Sequence, residues 1–235
     1  MLELNGVSLR YGGLKVIDGL NLKVARGEVL GVIGPNGAGK STLFNLIGGV
    51  VAPNSGRIRL DGIDLKRMPA WKRSRMGIAR TYQIPRPFKQ MSVFENVLVA
   101  AVHGSGLSLD EANADAEAIL NRTGLLRYHA KAAGGLSLLD LKRLELAKAL
   151  AQRPRLILLD EIAGGLTEIE CDYLVDLIRT VHQTGTTVVW IEHVIQALRR
   201  IATRMAVLFG GAIAASGEPD AVLADPGVRN IYLGS

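Results

Sequence analysis

The sequence has only one cysteine among its 235 residues and no long apolar run. A single thiol, that of Cys171, cannot form a disulfide within the chain. No metal-ligand spacing surrounds it, which favours a packing or surface role over catalysis. No apolar stretch approaches the roughly 18 residues needed to span a bilayer. The N-terminus also lacks the basic start and apolar core of a secretory signal, so we expect the chain to stay in the cytoplasm.

Charge of one sign is not concentrated in any tail of the chain. Lysine and arginine total 28 against 22 acidic residues, a formal net charge of +6. Many of the basic residues fall between Lys66 and Lys89, interleaved with apolar ones. Such a modest surplus favours a solvated basic face over a nucleic-acid-binding surface. The sequence also lacks repeats, low-complexity segments and linkers that would separate independent domains.

The sequence does contain an alternation of short β-rich and helical runs, with 48% hydrophobic residues and 27 glycines. This order favours an α/β fold with a mostly parallel sheet and crossover helices. We predict that four runs, apolar on both faces, form the central sheet: EVLGVIG (28–34), RLILLD (155–160), TTVVWIE (186–192) and RMAVLF (204–209).

Two other regions have different patterns. LELNGVSLRYGG and LNLKVARG, before the first core strand, alternate apolar and polar residues between turn glycines, which predicts an N-terminal antiparallel β layer. From about Ser92 to Ala151 the pattern is helical, which predicts a helical subdomain inserted into the α/β core. We therefore expect a single domain over 1–235 with a helical subdomain at about 92–151.

The strongest chemical signal is GPNGAGKST, which fits the pattern G-x-x-x-x-G-K-[ST] between a predicted strand and a predicted helix. In such a loop, backbone N–H groups and the helix N-terminus bind phosphate. Lys40 would contact the β- and γ-phosphates, Ser41 would ligate Mg²⁺, and Thr42 would support the α-phosphate. A chance glycine-rich turn is the alternative, but it does not explain why strand, loop, lysine, hydroxyls and helix occur together. The predicted nucleotide-binding residues here are Gly34, Pro35, Asn36, Gly37, Ala38, Gly39, Lys40, Ser41 and Thr42.

A second motif, LILLDE, places two adjacent carboxylates at the end of an apolar strand. Open α/β sheets bind ligands at that edge. Asp160 would hold Mg²⁺ through water, since this cation prefers oxygen ligands, and Glu161 would orient or deprotonate the water that attacks the γ-phosphate. Strand-end acids are often only helix caps. The pair therefore indicates a nucleotide site only because the phosphate loop is also present. Together the two motifs predict a Mg-ATP site.

With these motifs the chain resembles the nucleotide-binding subunit of an ATP-binding cassette (ABC) transporter over nearly all its length. The resemblance implies the ABC ATPase fold, built on a P-loop NTPase core, and ATP hydrolysis coupled to transport. It also implies roles for three more residues: adenine stacking for Tyr11 in LRYGGLKVIDGL, γ-phosphate and Mg²⁺ sensing for Gln83 in ARTYQIPRPF, and γ-phosphate contact for His193 in VVWIEHVIQAL. Taken singly, each has an ordinary explanation as a core tyrosine, a surface glutamine or a structural histidine.

LSLLD stands where this family has its Leu-Ser-Gly-Gly-Gln signature, a short distance before the acidic strand. The resemblance implies that Ser137 caps a helix whose N-terminus closes over ATP held by a second subunit. Leu138 and Leu139 replace the two glycines, and Asp140 replaces the glutamine. Leucine adds bulk beside phosphate, and aspartate adds negative charge. We expect Ser137 and Asp140 to pair as in a capping box, which would turn the carboxylate away from nucleotide.

Two further departures from the family follow Glu161. Ile162 replaces a common proline, and Thr167 stands near a position that is acidic in the family and helps to couple the two sites of a dimer. We hypothesise an asymmetric pair of sites. The site formed by this chain's phosphate loop and a partner's signature would hydrolyse ATP, and the site closed by LSLLD would be slower.

Three features of the chain resemble ATPases of importers for branched-chain amino acids, amides or urea. They are the segment GIARTYQIPRPFKQMSVFENVLVAA, the position of His193 after its strand and the terminal IYLGS. The resemblance implies membrane-spanning permease subunits, a second ABC ATPase chain in a hetero- or homodimer, and an indirect link to a periplasmic binding protein. It also implies a peripheral position at the cytoplasmic face of the inner membrane.

The segment from Ile84 to Val102 is an apolar patch beside Gln83. It would accept a coupling helix of the permease, and a buried contact within the helical subdomain is an equal alternative. The residues that make the segment apolar at its start are Pro85, Pro87, Phe88 and Met91.

Other functions stay open at this point. The ATPase of lipopolysaccharide export is similar in sequence and would more naturally form a homodimer. A DNA-repair or ribosome ATPase would need coiled-coil arms or tandem cassettes, for which 235 residues and one phosphate loop leave no room. A nucleotide-gated binding module without useful hydrolysis is the third alternative, and the retained Glu161 and His193 argue against it.

Overall fold

Two β-sheets organise the computed structural model, which describes residues 1–233. The strands, in chain order, are β1 (Leu2–Tyr11), β2 (Leu14–Val24), β3 (Val29–Ile33), β4 (Ser55–Leu60), β5 (Ile63–Asp64), β6 (Ile78–Arg80), β7 (Leu156–Asp160), β8 (Thr187–Ile191), β9 (Arg204–Phe209) and β10 (Ala212–Gly217). The α-helices are α1 (Lys40–Gly48), α2 (Ala70–Arg75), α3 (Val93–Ala100), α4 (Leu109–Arg122), α5 (Leu138–Leu150), α6 (Glu168–Gln183), α7 (Ile195–Arg199), α8 (Pro219–Ala224) and α9 (Pro226–Leu233). Of the terminal IYLGS, Gly234 and Ser235 lie outside the described residues.

The smaller sheet is antiparallel, with strand order β2-β1-β4-β5. In β1 the side chains of Leu2, Leu4, Val7 and Leu9 are buried. The same apolar face continues on β2, where Leu20, Leu22 and Val24 are buried between exposed residues. This alternation is typical of a sheet that covers a core on one side only. The predicted N-terminal antiparallel layer is confirmed, and β4 and β5 extend it beyond the predicted runs.

The larger sheet has strand order β10-β9-β3-β8-β7-β6 and is parallel except for its β9–β10 edge. All four runs predicted for the central sheet form strands in it, as β3, β7, β8 and β9. The carboxyl ends of β3, β6, β7 and β8 therefore lie along one edge, where open α/β sheets bind ligands. The phosphate loop follows β3 at this edge, and the acidic pair ends β7.

Both faces of the larger sheet are covered at its centre, where every residue of β3, β7 and β8 is buried. Successive side chains of a strand point to opposite faces. In β3, Leu30 and Val32 pack in the cluster that includes the smaller sheet, whereas Val29 and Ile33 pack with the helices on the other side. Helix α1 contributes Leu43, Phe44, Leu46 and Ile47 to the first cluster. The phosphate-loop helix therefore belongs to the core shared by the two sheets.

The region from Ser92 to Ala151 is helical, with α3, a π-helical turn at Ala101–Ser105, α4 and α5. Ser92 and Ser108 cap α3 and α4 in complete capping boxes with Glu95 and Glu111. These caps satisfy backbone N–H groups that have no partner within the helix. In the part of the chain that the structure describes, no helix has the length and apolar character needed to cross a membrane.

Two basic residues between Lys66 and Lys89 depart from the expected solvated face. Arg73 is 2% exposed, and its guanidinium donates to the carbonyl oxygens of Leu46 and Ile47 at the end of α1 and to those of Leu65 and Met68. A buried guanidinium is tolerated because backbone acceptors surround it. Arg80 is also largely buried and lies in the site described below. Lys66 and Lys72, by contrast, are exposed as expected.

Candidate active site

The phosphate loop curls between β3 and α1 at places where a side chain would not fit. A Cβ on Gly34 would lie 2.2 Å from the carbonyl oxygen of Leu208. Gly39 has φ +102, and a Cβ there would lie 2.9 Å from Ile17 Cδ1. Glycine adopts such backbone conformations without steric cost. The glycines of the motif are therefore required by the path of the loop itself.

Lys40 lies inside the loop that it was predicted to serve. It is only 6% exposed, and its Nζ donates to the carbonyl oxygens of Gly34 at 2.7 Å and Pro35 at 3.0 Å. Burial lowers the pKa of Lys40, and the nearby charges of Glu161 and Asp160 oppose that change. Lys40, Asp160 and Glu161 therefore lie close enough for the two carboxylates to act on the charge of the lysine.

Neighbouring residues of the loop are more open. Asn36, Gly37 and Ser41 are exposed, and Thr42 is half-buried. The N-cap of α1 is Gly39, which provides no side-chain hydrogen bond to the first turn. The N–H groups at this helix start are therefore free of a side-chain cap, and a helix N-terminus in that state attracts anions.

Glu161 lies between two of the residues that the sequence resemblance singled out. Its Oε2 accepts a hydrogen bond from Gln83 Nε2 at 2.5 Å, and its Oε1 lies 2.9 Å from His193 Nε2. Glu161 also has φ +45, in the left-handed region that non-glycine residues rarely adopt. Backbone strain of this kind is frequent at functional sites, where the surrounding structure fixes it. Three predicted site residues from three segments thus meet at one carboxylate.

Asp160 is paired with an arginine that sequence reasoning missed. Arg80 donates to Asp160 Oδ2 at 2.6 Å and to Asn45 Oδ1 at 2.7 Å. Its guanidinium carbon lies 5.5 Å and 5.4 Å from the ring centres of Phe44 and Tyr82. Arg80 Nε is buried and has no hydrogen-bond partner among the described residues. The only signal in the sequence was a basic residue at the end of a short apolar run, three positions before Gln83.

This combination of phosphate loop, acidic strand end, glutamine and histidine agrees with the result of comparison with known families. Residues 17–164 match the family described as ABC transporter. The chain belongs to this family. It is therefore an ATP-binding protein of the ABC ATPase type. Tyr11 and His193 lie outside the matched residues, so the family match does not bear on their predicted roles.

Two curated relatives cover the whole of this ABC chain. The high-affinity branched-chain amino acid transport ATP-binding protein BraF of Pseudomonas aeruginosa is 38% identical over 249 residues, which span 100% of this chain and 98% of BraF. The corresponding protein LivG of Escherichia coli K12 is 36% identical, again over 100% of this chain and 98% of LivG. Among solved structures, a nucleotide-free ATP-binding cassette from an ABC transporter has a TM-score of 0.92 and 29% identity, covering 100% of this chain and 99% of that one. The ABC ATPase fold predicted from the sequence is thus confirmed.

The degenerate signature of this ABC protein forms a capped helix start. Ser137 is the N-cap of α5, where its Oγ accepts from the backbone N–H of Asp140 at 3.2 Å and donates to Asp140 Oδ2 at 2.8 Å. The other carboxylate oxygen of Asp140 lies 3.0 Å from Arg143 NH1. Ser137 and Asp140 do pair, but as half of a capping box, since the carboxylate accepts from the Ser137 hydroxyl and not from its backbone N–H; the carboxylate is still directed toward its own helix. Ser137 and Leu138 are exposed, which leaves this helix start accessible to a second molecule.

Two other residues named from the resemblance lie apart from the cluster around Glu161. Tyr11 ends β1 and is 49% exposed, so its predicted stacking on adenine stays a prediction. Thr167 caps α6, and its hydroxyl and backbone N–H both bond to Glu170 in a capping box. The Thr167 hydroxyl is therefore committed to its own helix. Ile162, where the family commonly has proline, is fully buried.

Proposed function

We propose that this chain powers the import of branched-chain amino acids, or of related amides, by hydrolysing ATP beneath a membrane permease. The observation that carries the chemistry is the Glu161 carboxylate, held between Gln83 and His193 in the charge environment of Lys40. The substrate class is supported by full-length similarity to BraF and LivG, whose names state branched-chain amino acid transport. Export of lipopolysaccharide is the alternative within the family, and it would more naturally involve a homodimer.

The proposed chemistry assigns a separate task to each residue around the nucleotide. The N–H groups of the phosphate loop and of the first turn of α1 bind the phosphates. Lys40 leaves its two carbonyl acceptors and pairs with the β- and γ-phosphate oxygens. Glu161 accepts a hydrogen bond from the attacking water, orienting it or taking its proton, and His193 donates to the γ-phosphate. Gln83 couples this site to the surface that faces the permease.

The donors at the site also fit Mg²⁺. Ser41 offers an exposed hydroxyl, and Asp160 offers a carboxylate oxygen besides the one paired with Arg80. No group of three or more His, Cys, Asp or Glu suited to a metal occurs among residues 1–233. A hydroxyl and a carboxylate oxygen suit Mg²⁺, which takes few protein ligands together with water and substrate phosphates. We propose Ser41, Asp160 and Gln83 as its protein ligands; the bound ion would neutralise charge on the phosphates.

The function requires a second ATPase chain. We propose that α5 of this chain presents Ser137 to ATP held by that partner, because the helix start is exposed and distinct from the phosphate loop of the same chain. Leu138, Leu139 and Asp140 make this contact poorer than a glycine-rich signature would. A pair of different ATPase chains, of which only one composite site is fast, follows from this difference.

A surface for the permease lies beside Gln83. Ile84 is 74% exposed, Phe88 53% and Trp71 57%, and Trp71 and Phe88 line a groove of about 300 Å³ with Val99. Farther along, Val93 and Val97 are buried in the helical region. The two alternatives for the apolar segment therefore apply to different parts of it. We propose that its exposed start binds a coupling helix of a membrane-spanning subunit at the cytoplasmic face of the inner membrane, with a periplasmic binding protein acting indirectly.

We further propose that 1–235 is a single ABC nucleotide-binding domain whose helical subdomain occupies about 92–151. The residues of this subdomain pack in the same buried cluster as one face of the parallel sheet. A shared core is typical of an insertion that folds with its host domain.

The test of the proposed function compares the wild-type chain with Glu161→Gln. ATP should trap a dimer of the variant that the wild type releases, while nucleotide binding persists. Equal dimer lifetimes for the two proteins would favour a nucleotide-gated module without hydrolysis. Co-purification with a membrane-spanning permease, followed by ATP-dependent uptake of leucine into vesicles, tests transport. Recovery with an exporter instead would contradict the importer assignment.

A further inference from the structure

Glu192 is a buried carboxylate directly after β8 that the proposed chemistry does not yet use. Only 1% of its surface is exposed. Burial raises the pKa of Glu192, and hydrogen bonds from three backbone N–H groups and one indole oppose that rise. An acid in such a place is costly to the fold unless its oxygens are satisfied. The arrangement of its donors therefore indicates what the residue does.

Each oxygen of Glu192 serves a different part of the molecule. Oε2 accepts from the backbone N–H of Ala163 at 3.0 Å and from Trp190 Nε1 at 3.1 Å. Oε1 accepts from the backbone N–H groups of His193 at 3.0 Å and Val194 at 3.5 Å. One side chain thus joins the segment that follows β7 to the segment that follows β8.

These two segments carry the residues that meet at the ATP site. Ala163 lies two positions after Glu161, and His193 Nε2 lies 2.9 Å from Glu161 Oε1. The contacts form a closed ring from Glu161 through Ala163, Glu192 and His193 back to Glu161. Because Glu161 has φ +45, its conformation must be maintained by its surroundings. The bond from Ala163 to Glu192 lies next to that strained residue.

We propose that Glu192 is a positioning residue that fixes the carboxylate of Glu161 and the imidazole of His193 relative to each other. It acts through their backbones and does not touch the nucleotide. This inference rests on the proposed roles of Glu161 and His193 in ATP hydrolysis. Misplacement of a reacting group by about 1 Å is enough to lower a rate by about 100-fold, so the effect of such a residue is measurable.

Glu192→Gln tests the proposal with almost no change of shape. All four groups that are hydrogen-bonded to the carboxylate are donors, so an amide nitrogen in place of either oxygen breaks two hydrogen bonds and opposes two N–H groups. We expect kcat for ATP to fall about 10-fold or more, while KM changes less than about threefold. Every variant is measured as the full chain in the same state of assembly.

The matched control is Glu145→Gln. Glu145 is equally buried, but its Oε1 accepts from Arg86 N at 2.8 Å and from Lys148 Nζ at 2.7 Å, away from the two segments. A glutamine retains an oxygen for these donors. We expect its kcat to stay within about twofold of wild type. If Glu145→Gln and Glu192→Gln lower kcat alike, a general loss of a buried charge explains both and the proposal is wrong.

Trp190 supplies a readout that is independent of turnover. The chain has two tryptophans, and replacing the exposed Trp71 by phenylalanine leaves Trp190 as the only tryptophan, which can be excited selectively at wavelengths that tyrosine does not absorb. Glu192→Gln should shift the emission of Trp190, because its indole N–H loses either its acceptor or the negative charge on that acceptor, whereas Glu145→Gln should not. Trp190→Phe should lower stability but leave kcat within about threefold, because the three backbone bonds to Glu192 persist. A purely structural role predicts that kcat follows stability in both variants.

Hydrogen exchange on the wild-type protein covers the case in which Glu192→Gln does not fold. The amide of Ala163 should exchange far more slowly than that of exposed Gly165, and unprotected exchange at Ala163 would overturn the proposal. Glu161→Gln distinguishes a failure of the proposed role of Glu161 from a failure of the positioning role of Glu192. If it retains turnover, the proposed function of Glu161 fails; if it loses turnover while Glu192→Gln does not, only the positioning role fails.

Discussion

The two helix starts that this chain offers to phosphate differ in how their first turns are satisfied. Helix α1 begins at Gly39, has no side-chain cap and has no acidic residue in its first turn. Helix α5 begins at Ser137, whose hydroxyl is bonded to Asp140, and it carries that carboxylate in its first turn. An uncapped helix start attracts anions, while a capped and acidic one attracts them less. We therefore expect the start of α1 to bind the phosphates of this chain's own ATP more strongly than the start of α5 binds those of a partner's ATP.

Lys40→Ala should have the largest effect, because it changes the phosphate loop before α1. Loss of the only lysine inside the phosphate loop removes the charge that neutralises the β- and γ-phosphates, and we expect ATP turnover to fall about 100-fold or more. The measurement is turnover of the assembled transporter, alongside one altered in the phosphate-loop lysine of the second ATPase chain. The second variant should retain part of the activity. Equal losses would contradict the asymmetry.

Gly39→Ala should damage the same helix start through its backbone. At φ +102 the new Cβ would lie 2.9 Å from Ile17 Cδ1 and 3.0 Å from the backbone oxygen of Val16, so we expect the loop before α1 to be strained or displaced. We expect ATP affinity to fall about 10-fold, equivalent to about 1.4 kcal/mol. Gly37→Ala separates clash from strain, because its φ is +78 but nothing lies within 4 Å of the added atom. Similar affinity losses for both variants would show that the clash at Gly39 is unimportant.

Ser137→Ala tests the other helix start, that of α5. It removes the N-cap of α5 and leaves the Asp140 N–H without its acceptor, so we expect a stability loss of about 1 kcal/mol in chemical denaturation. Ser92→Ala, at the N-cap of α3, is the matched control for cap loss away from the signature. Only the Ser137 variant should also lower turnover in the assembled pair. A turnover loss with Ser92→Ala of the same size would remove Ser137 from the proposed dimer contact.

Asp140→Asn should have the smallest effect, and in the opposite direction. It removes a negative charge from the first turn of α5 at nearly constant shape and leaves Arg143 uncompensated. Both changes make the start of α5 more favourable for binding the phosphates of ATP. We therefore expect turnover at the site closed by LSLLD to rise about threefold, which corresponds to about 0.6 kcal/mol. Single-turnover measurements on an assembly whose other site is inactivated would detect it. A decrease would mean that the pairing of Asp140 supports the active dimer.

The fold was predictable where apolar runs were long enough to be recognised. β3, β7, β8 and β9 are five or six residues long and mostly buried, whereas β6 has only three residues and β10 consists of small ones apart from Ile213. A strand of three residues has no detectable period, and Ala, Ser and Gly carry little strand signal. These two edge strands therefore became visible only through their pairing with β7 and β9.

The site was predictable as a set of residues but not as a set of contacts. Spacing identified Lys40 and the acids Asp160 and Glu161, and resemblance added Gln83 and His193. That the last two both reach Glu161 depends on tertiary packing, since Gln83 lies 78 positions from it in the chain.

Arg80 and Glu192 were missed for a physical reason. Arg80 pairs across two strands, and the partners of Glu192 are mainly backbone N–H groups, which leave no trace in residue identity. The one available signal was a charged residue at the end of an otherwise apolar run, as in TTVVWIE. A charge at that point is rarely buried unless something compensates it.

The position of α1 between the two sheets limits how this protein passes on its response to ATP. Leu43, Phe44 and Ile47 anchor the helix in close-packed surroundings that resist displacement. The residues around Gln83 and Ile84, by contrast, are exposed, and segments with few buried contacts open more readily than a packed helix. We therefore expect nucleotide binding to leave α1 in place and to rearrange the exposed segment around Gln83 and Ile84.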